Sequence, residues 1–164
     1  MMQSMQERYK EFYNTYKNKL FSYLLYLNGD PETSKDIMQE SFTRHFKHYG
    51  NDASISATLL YTIARNALTD ERRLQNRFTD RPEVIEQTTG DEESSLLIRE
   101  KCKNVTEAMG KLSRIDQEIL VLAVGGMSYK EISNVLGMSE SNIKVRIHRA
   151  RTKLRQMLNQ KEVP

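Results

Sequence analysis

Several classes of protein need residues that this sequence has in short supply. Cys102 is the one cysteine among 164 residues, so no disulfide can form within the chain and a secreted disulfide framework is excluded. No apolar run approaches the roughly 18 to 20 residues of a membrane-spanning helix, and the first residues lack the apolar core of a signal peptide. We therefore expect a cytoplasmic protein.

Residues that build metal and catalytic sites are equally scarce. Three histidines and one cysteine, with no Cys-x-x-Cys or His-Glu-x-x-His spacing, provide too few ligands for a metal site. No glycine-rich loop that would hold a phosphate is present, and no nucleophile can be matched with a base. The sequence therefore predicts no metal, no cofactor, no small-molecule substrate and no enzymatic activity.

Charge is unevenly distributed along the chain. The net charge of +3 is too small to indicate a nucleic-acid partner by itself. Residues 139–161, however, contain seven Lys or Arg and one acidic residue, whereas residues 76–100 contain seven acidic residues and three Arg. The C-terminal segment is thus the part of the chain best suited to contact an anionic partner.

The N-terminal half has the periodicity of three amphipathic helices. Apolar side chains recur at three- and four-residue steps over residues 9–27. At Asn28-Gly29-Asp30-Pro31 a glycine stop is followed by an N-cap aspartate and by a proline suited to the first helical position. We expect His45 and Phe46 to face inward from the second helix, and a third helix over residues 57–74. Three helices with matching apolar faces predict one small core.

The middle of the chain loses this periodicity. Residues 76–95 contain Pro82 and a run of acidic and serine residues, which is typical of a flexible acidic linker. Two further helices are indicated by apolar residues, one by Leu96, Leu97, Val105, Met109 and Leu112, and one by Ile115, Ile119, Leu120 and Leu122. We predict an all-α fold of two small helical domains, residues 1–75 and residues 96–164, joined by the linker of residues 76–95.

Residues 127–146 have the pattern of a helix-turn-helix. Apolar residues give a short first helix an inner face, Gly137 supplies a tight turn, and Ser139 is placed to cap a second helix. On that second helix Ile143, Ile147, Ala150 and Leu154 should pack inward. The opposite face, which can meet the major groove of DNA, contains Ser141, Lys144, Val145, His148 and Arg149.

Read together, two stretches resemble the extracytoplasmic-function sigma factors of the sigma-70 family. Residues 107–155, including Gly126-Met127-Ser128-Tyr129-Lys130-Glu131-Ile132, resemble region four of that family. Asp36-Ile37-Met38-Gln39-Glu40-Ser41-Phe42 and Leu60-Tyr61-Thr62-Ile63-Ala64-Arg65-Asn66, followed by Asp70-Glu71-Arg72-Arg73, resemble region two. A helix-turn-helix occurs in many transcription regulators. The presence of both regions in this order is specific to the sigma-70 family.

Two positions depart from the family pattern. Leu59 occupies a position that is often tryptophan in this family, and Ser113 follows Leu112 where proline is common. Neither change removes a charged contact. We therefore expect the fold and the role to be retained, while the promoter preference stays open.

The resemblance implies a promoter-reading subunit of RNA polymerase. Its expected partners are core polymerase, through the clamp helices of the largest subunit and the beta flap, promoter DNA, and an anti-sigma factor that is often membrane-anchored. Reading of the duplex minus-35 element would fall to the outward residues of the helix-turn-helix. The resemblance places the clamp contact at Asp36, Gln39, Glu40 and Thr43, and the contacts with the melted minus-10 strand at Tyr49, Asn51, Ser54, Arg65, Asn66, Thr69, Arg72 and Arg73.

Two other functions remain open at this point. The chain could be an autonomous helix-turn-helix activator or repressor whose N-terminal half senses a signal or dimerises. It could also be a nuclease or another enzyme that acts on nucleic acid, although no catalytic cluster is visible. Tight binding of duplex DNA without polymerase would favour the first, and metal-dependent cleavage would favour the second.

Overall fold

The computed structural model describes residues 4–49, 55–75 and 96–162, and within these ranges it contains seven α-helices and no β-strand. The all-α prediction is therefore confirmed for the described residues, which belong to two compact units. The predicted linker of residues 76–95 lies outside them. The helices are α1 (Met5–Asn28), α2 (Pro31–Tyr49), α3 (Ala57–Gln75), α4 (Leu96–Gly110), α5 (Arg114–Val124), α6 (Tyr129–Leu136) and α7 (Glu140–Glu162).

Helices α1, α2 and α3 form the first unit, and local signals fix where they begin and end. Ser4 caps α1 by accepting a hydrogen bond from the Glu7 amide, and the Glu7 carboxylate accepts one from the Ser4 amide in return. Gly29 ends α1 with a φ of 75°, a conformation that glycine adopts without strain. Asp30 then accepts from the backbone amides of Glu32 and Thr33 at the start of α2.

Aliphatic residues of α1 and α3 form the centre of the core of the first unit. Leu20 and Leu24 of α1 and Leu60 and Ala64 of α3 are fully buried. Burial of a leucine side chain stabilises a fold by about 1.5 to 3 kcal/mol. This packing determines which sides of α2 and α3 remain available to other molecules.

An aromatic cluster joins α1 to α2 around His45. The His45 ring is fully buried, it stacks on Phe12 at 5.2 Å between ring centroids, and its Nδ1 lies 3.1 Å from the Tyr9 hydroxyl. The same hydroxyl donates to the Phe42 carbonyl at 2.9 Å. The expectation of an inward His45 is thus confirmed, whereas that for Phe46 is wrong, because Phe46 contacts the Tyr9 ring but leaves 46% of its surface exposed.

Burial of His45 predicts a pH dependence of stability. Loss of hydration lowers the pKa of His45 from its ordinary value of 6.5, and a hydrogen bond with the Ser56 backbone offsets only part of this effect. Below about pH 6.5 the unfolded chain therefore binds a proton that the folded chain does not. We expect the free energy of unfolding to fall as the pH decreases through this window, by at most about 1.4 kcal/mol per pH unit.

Urea unfolding between pH 5 and pH 8 measures this slope. His45→Gln should remove the His45 contribution to it, and His48→Gln, which changes an exposed histidine on the same helix, should retain it. Identical slopes in the wild type and in His45→Gln would contradict the assignment.

Helices α4, α5 and α7 and most of α6 form the second unit. Ser113 caps α5 by accepting from the Asp116 amide at 3.3 Å, so this serine, which departs from the pattern of the family that the sequence resembles, has a structural role of its own. Helix α7 packs against α4 and α5, and Ile143, Ile147 and Ala150 on its inner face are all buried as predicted. Leu154, the fourth residue predicted to face inward, is half-buried.

Helix α4 forms where the sequence predicted it, but most of its apolar residues do not enter the core. Leu96 is 86% exposed, and Leu97 and Val105 are exposed as well. Ala108 is the buried residue of this helix, and Leu112, which follows its end, is also buried. The core of the second unit therefore takes less from α4 than its composition suggested.

The helix-turn-helix is formed by α6 and α7. Ser128 and Glu131 make a reciprocal capping box at the start of α6, and Ser139 caps α7 by accepting from the Asn142 amide at 3.2 Å. Between the helices Gly137 has a φ of 66°, and its backbone N–H donates to the Ser133 carbonyl. The Ser133 hydroxyl donates to the Met138 carbonyl at 2.5 Å, which closes the turn.

The left-handed conformation of Gly137 predicts a large effect of a small substitution. No atom lies within 4 Å of the position that a Cβ would take there, so Gly137→Ala introduces backbone strain without a steric clash. We expect the free energy of unfolding to decrease by about 1 to 2 kcal/mol in urea titrations. Gly110→Ala, at a glycine without positive φ, should be neutral or stabilising. Equal losses in both variants would contradict this account.

Candidate nucleic-acid interface

The outer face of α7, defined by Ser141, Lys144, Val145, His148 and Arg149, is exposed at all five positions. It lies opposite Ile143, Ile147 and Ala150, whose burial decides which side of the helix faces outward. Val145 is 45% exposed, so its apolar surface is available to a partner. This face combines two cations, hydrogen-bonding groups and one apolar contact, which are the groups that read base edges and phosphates.

Two ionic contacts hold α7 to the rest of the second unit. Near its start, Nη1 of Arg146 lies 2.9 Å from Oδ1 of Asp116 on α5. Near its end, Lys161 contacts the Glu107 carboxylate and, at 3.3 Å, Oδ1 of Asn104, both on α4. The hydrogen bond from Lys161 and its charge lower the pKa of Glu107. Ionic contacts near both of its ends therefore hold α7 to its neighbouring helices.

The residues of these ionic contacts were not identified from the sequence. Arg146 and Lys161 belong to the basic C-terminal segment, and the composition of that segment does not separate structural cations from available ones. A helical projection contains a partial signal, because Arg146 falls about 60° from Ile143 at 100° per residue, on the border of the inner face. Its partner lies 30 positions away, which the local sequence does not indicate.

The polar face of α3, defined by Arg65, Asn66, Thr69, Arg72 and Arg73, divides into two parts. Asn66, Thr69 and Arg73 are exposed, whereas Arg65 and Arg72 are half-buried. Arg72 donates a hydrogen bond to the Leu27 carbonyl in the last turn of α1. A cation at a helix C-terminus is favoured by the helix dipole. Arg72 was predicted to contact the melted DNA strand. In the structure its hydrogen bond connects α3 to α1.

The α2 stripe, defined by Asp36, Gln39, Glu40 and Thr43, is exposed at all four positions. Residues at this spacing occupy one side of a helix, and the opposite side of α2 buries Ile37, Met38 and Phe42. Glu40 pairs with Arg44 on the surface, and the Thr43 hydroxyl donates to the Gln39 carbonyl at 2.9 Å. The stripe presents acidic and amide groups that a protein partner can contact.

The three remaining predicted site residues are Tyr49, Asn51 and Ser54. Tyr49 is the last residue of α2, while Asn51 and Ser54 lie outside the described residues. Ser56, which follows these residues in the sequence, hydrogen-bonds through its backbone with His45.

Metal-binding clusters and membrane-spanning helices are both absent from the part of the chain that the structure describes. No group of three or more His, Cys, Asp or Glu side chains there could hold a metal ion. In the same residues, no helix combines the length and the apolar character that crossing a membrane requires.

Comparison with known proteins gives consistent matches over most of the chain. The family description "Sigma-70 region 2" matches residues 12–78, and "Sigma-70, region 4" matches residues 102–154. The ECF RNA polymerase sigma factor SigL of Mycobacterium tuberculosis is 31% identical over 92% of this chain and 89% of its own length. The RNA polymerase sigma factor YlaC of Bacillus subtilis is 31% identical over 93% of this chain and 90% of its own length.

Solved structures share the fold at lower sequence identity. The sigma factor RpoE of Bartonella quintana, solved with the anti-sigma factor NepR, matches with a TM-score of 0.68 and 20% identity over 93% of this chain and 98% of that chain. CnrH, solved with the cytosolic domain of CnrY, matches with a TM-score of 0.64 and 23% identity over 94% of this chain and 90% of that chain. At these identities the likeness concerns the fold alone.

The contact of Arg72 with Leu27 predicts that two neighbouring arginines differ in their effect on stability. Arg72→Ala removes a half-buried, charged hydrogen bond and should reduce the free energy of unfolding by about 1 to 2 kcal/mol. Arg73→Ala changes an exposed residue and should stay within about 0.5 kcal/mol of the wild type. Urea unfolding compares the two, and a neutral Arg72→Ala would show that this hydrogen bond adds nothing to the fold.

Proposed function

This chain belongs to the extracytoplasmic-function group of sigma-70 RNA polymerase sigma factors, and we propose that it directs promoter-specific transcription initiation. It binds core polymerase, opens the minus-10 element and reads the minus-35 element. The observation that carries this proposal is that matches to region 2 and region 4 occur in one chain, in this order. Each matched region also exposes a polar face beside its core.

The region-4 domain, residues 96–164 in our assignment, reads the minus-35 element as a duplex. In helix-turn-helix proteins the second helix enters the major groove with its N-terminal residues against the base edges. The outer face of α7 begins within the first turns of that helix, and all its members are exposed. Lys144 and Arg149 can donate to phosphates or guanine edges, and Val145 can contact a thymine methyl group.

The region-2 domain, residues 1–75, holds the melted minus-10 strand. Capture of a single strand needs cations along the backbone and room for an unstacked base, whose extrusion from the stack costs a few kcal/mol. The polar face of α3 supplies Arg65 and Arg73 together with Asn66 and Thr69. By the family motif, the segment of residues 49–56 takes the flipped base.

The α2 stripe binds the clamp helices of the largest polymerase subunit. Two observations support this role: the stripe is exposed, and the domain core is filled from the opposite side of α2. The side chains of the stripe are therefore available to a protein partner without any rearrangement of the core. The region-4 domain takes the second contact with core polymerase, at the beta flap.

Regulation by an anti-sigma factor completes the proposal. The solved structure of RpoE contains the anti-sigma factor NepR, and that of CnrH contains the cytosolic domain of CnrY. We propose a partner of this kind here. The chain then acts in the cytoplasm, and a membrane-anchored anti-sigma factor would hold it at the membrane.

The family is one of transcription initiation factors, and we propose that the chain has no catalytic activity of its own. It requires no metal or cofactor in this role. The chemistry of RNA synthesis belongs to core polymerase.

Reconstituted transcription tests the proposed function. Core polymerase from the source organism, combined with the purified chain and fragmented genomic DNA, should give discrete promoter-specific transcripts that are absent without the chain. Absence of any such transcript, together with failure to co-purify polymerase subunits at low salt, would overturn the proposal. Tight sequence-specific binding of duplex DNA by the chain alone would favour an autonomous regulator instead.

The outer face of α7 predicts which residues weaken minus-35 recognition. Arg149→Ala should reduce transcription from minus-35-dependent promoters, and Lys144→Ala should do so with a salt slope smaller by about 1 if its contact is to phosphate. Arg155→Ala, an exposed cation beyond the face on the same helix, is the matched control. Wild-type activity in both face variants would show that another side of α7 meets DNA.

A further inference from the structure

The guanidinium of Arg146 is turned toward the protein at the edge of the outer face of α7. Its Nη1 lies 2.9 Å from Oδ1 of Asp116, and its Nε atom is buried. At about 100° per residue, Arg146 is separated by about 60° from Ile143 on one side and from Arg149 on the other. It therefore occupies the border between the buried face of α7 and the face proposed to read DNA.

Asp116 is itself held in place. It lies in the first turn of α5, where its amide donates to the Ser113 hydroxyl at 3.3 Å. Ile119, Leu120 and Leu122 anchor the same helix in the core. A carboxylate near a helix N-terminus is also favoured by the helix dipole. Asp116 is thus a fixed point from which the rotation of α7 can be set.

We propose that Arg146 is a positioning residue for minus-35 recognition, which sets the orientation of α7 through Asp116 and does not itself bind DNA. This inference rests on the proposed function of the chain. Side-chain exposures of 36% for Arg146 and 24% for Asp116 make the pair less screened than a fully exposed one. Because the pair adjoins Arg149, a small rotation of α7 after its loss would displace that side chain from the groove.

The alternative is that Arg146 leaves Asp116 and contacts a phosphate when DNA binds. The two hypotheses predict opposite effects of Asp116→Asn. If Arg146 positions α7, neutralising Asp116 weakens minus-35 recognition. If Arg146 is a phosphate contact restrained by Asp116, the same change releases it and leaves recognition unchanged or stronger.

The second ionic contact of α7 supplies a matched control. Lys161 and Glu107 join the same helix to α4, but Lys161 lies 15 positions after Arg146, which corresponds to about 22 Å along the helix axis. Exchange of these two charges disturbs a comparable surface pair far from the end of α7 that is proposed to enter the groove.

The experiment measures transcription by the reconstituted holoenzyme on a promoter with the preferred minus-35 element and on one with that element substituted. The ratio of the two activities reports minus-35 reading separately from polymerase binding and minus-10 opening. The variants are Asp116→Asn, Arg146→Gln, the exchange Asp116→Arg with Arg146→Asp, and the control exchange Glu107→Lys with Lys161→Glu. Salt titrations of promoter binding and urea unfolding are recorded for each.

If the proposal holds, Asp116→Asn and Arg146→Gln each reduce the ratio by about fivefold, the lower part of the range for residues in contact. The charge exchange should restore the ratio, the salt slope should stay that of the wild type, and the control exchange should keep the wild-type ratio. A salt slope reduced by about 1 in Arg146→Gln, with full recognition in Asp116→Asn, would identify a phosphate contact and overturn the proposal.

Two further outcomes are decisive. If the exchange restores unfolding free energy but not the ratio, the pair is a stabilising contact only and the inference fails. If the wild-type holoenzyme shows no promoter-specific transcription at all, the proposed function fails first, which distinguishes that result from a failure of the inference.

Discussion

Packing of the inner face of α7 against α4 and α5 is the constraint on which the proposed reading of DNA depends. Ile143, Ile147 and Ala150 are buried together, and because side chains project from a helix at set angles to one another, their burial decides which side of α7 faces outward. The five residues of the outer face are exposed for that reason. Helix α2 follows the same rule in the first unit, where burial of Ile37, Met38 and Phe42 leaves the stripe from Asp36 to Thr43 outward.

Some charged residues of these helices make contacts within the fold, whereas others are exposed on its surface. Arg72 donates to the end of α1 and Arg146 pairs with α5, although each stands within one or a few residues of an exposed cation. Such cations are partly removed from solvent, so their loss affects the packing of the helices as well as any contact with a partner. An alanine scan of the basic residues that ignored this division would confuse misplacement of a helix with loss of a DNA contact.

The first unit combines an aliphatic centre with an aromatic and polar edge. Leu20, Leu24 and Leu60 supply the buried centre, while His45 joins the Tyr9 hydroxyl and the Phe12 ring at the junction of α1 and α2. A buried imidazole in this position remains neutral at neutral pH because its cation would lose hydration. The contacts of His45 with Tyr9 and Phe12 thereby hold the last turns of α2 against α1.

Sequence alone determined the all-α class, the helix ends marked by Ser, Asp and Gly caps, the helix-turn-helix and the composition of its outer face, since these follow from local backbone chemistry and from the period of the helix. It did not determine how deeply each apolar residue is buried. Phe46, Leu96 and Val105 match the helical pattern yet stay exposed, because burial requires a partner surface that only the assembled helices provide. Nor did it identify the pairing of Arg146 with Asp116, which are 30 positions apart. Contacts between residues distant in the chain are decided by tertiary packing, and here that packing selects which cations remain available to a partner.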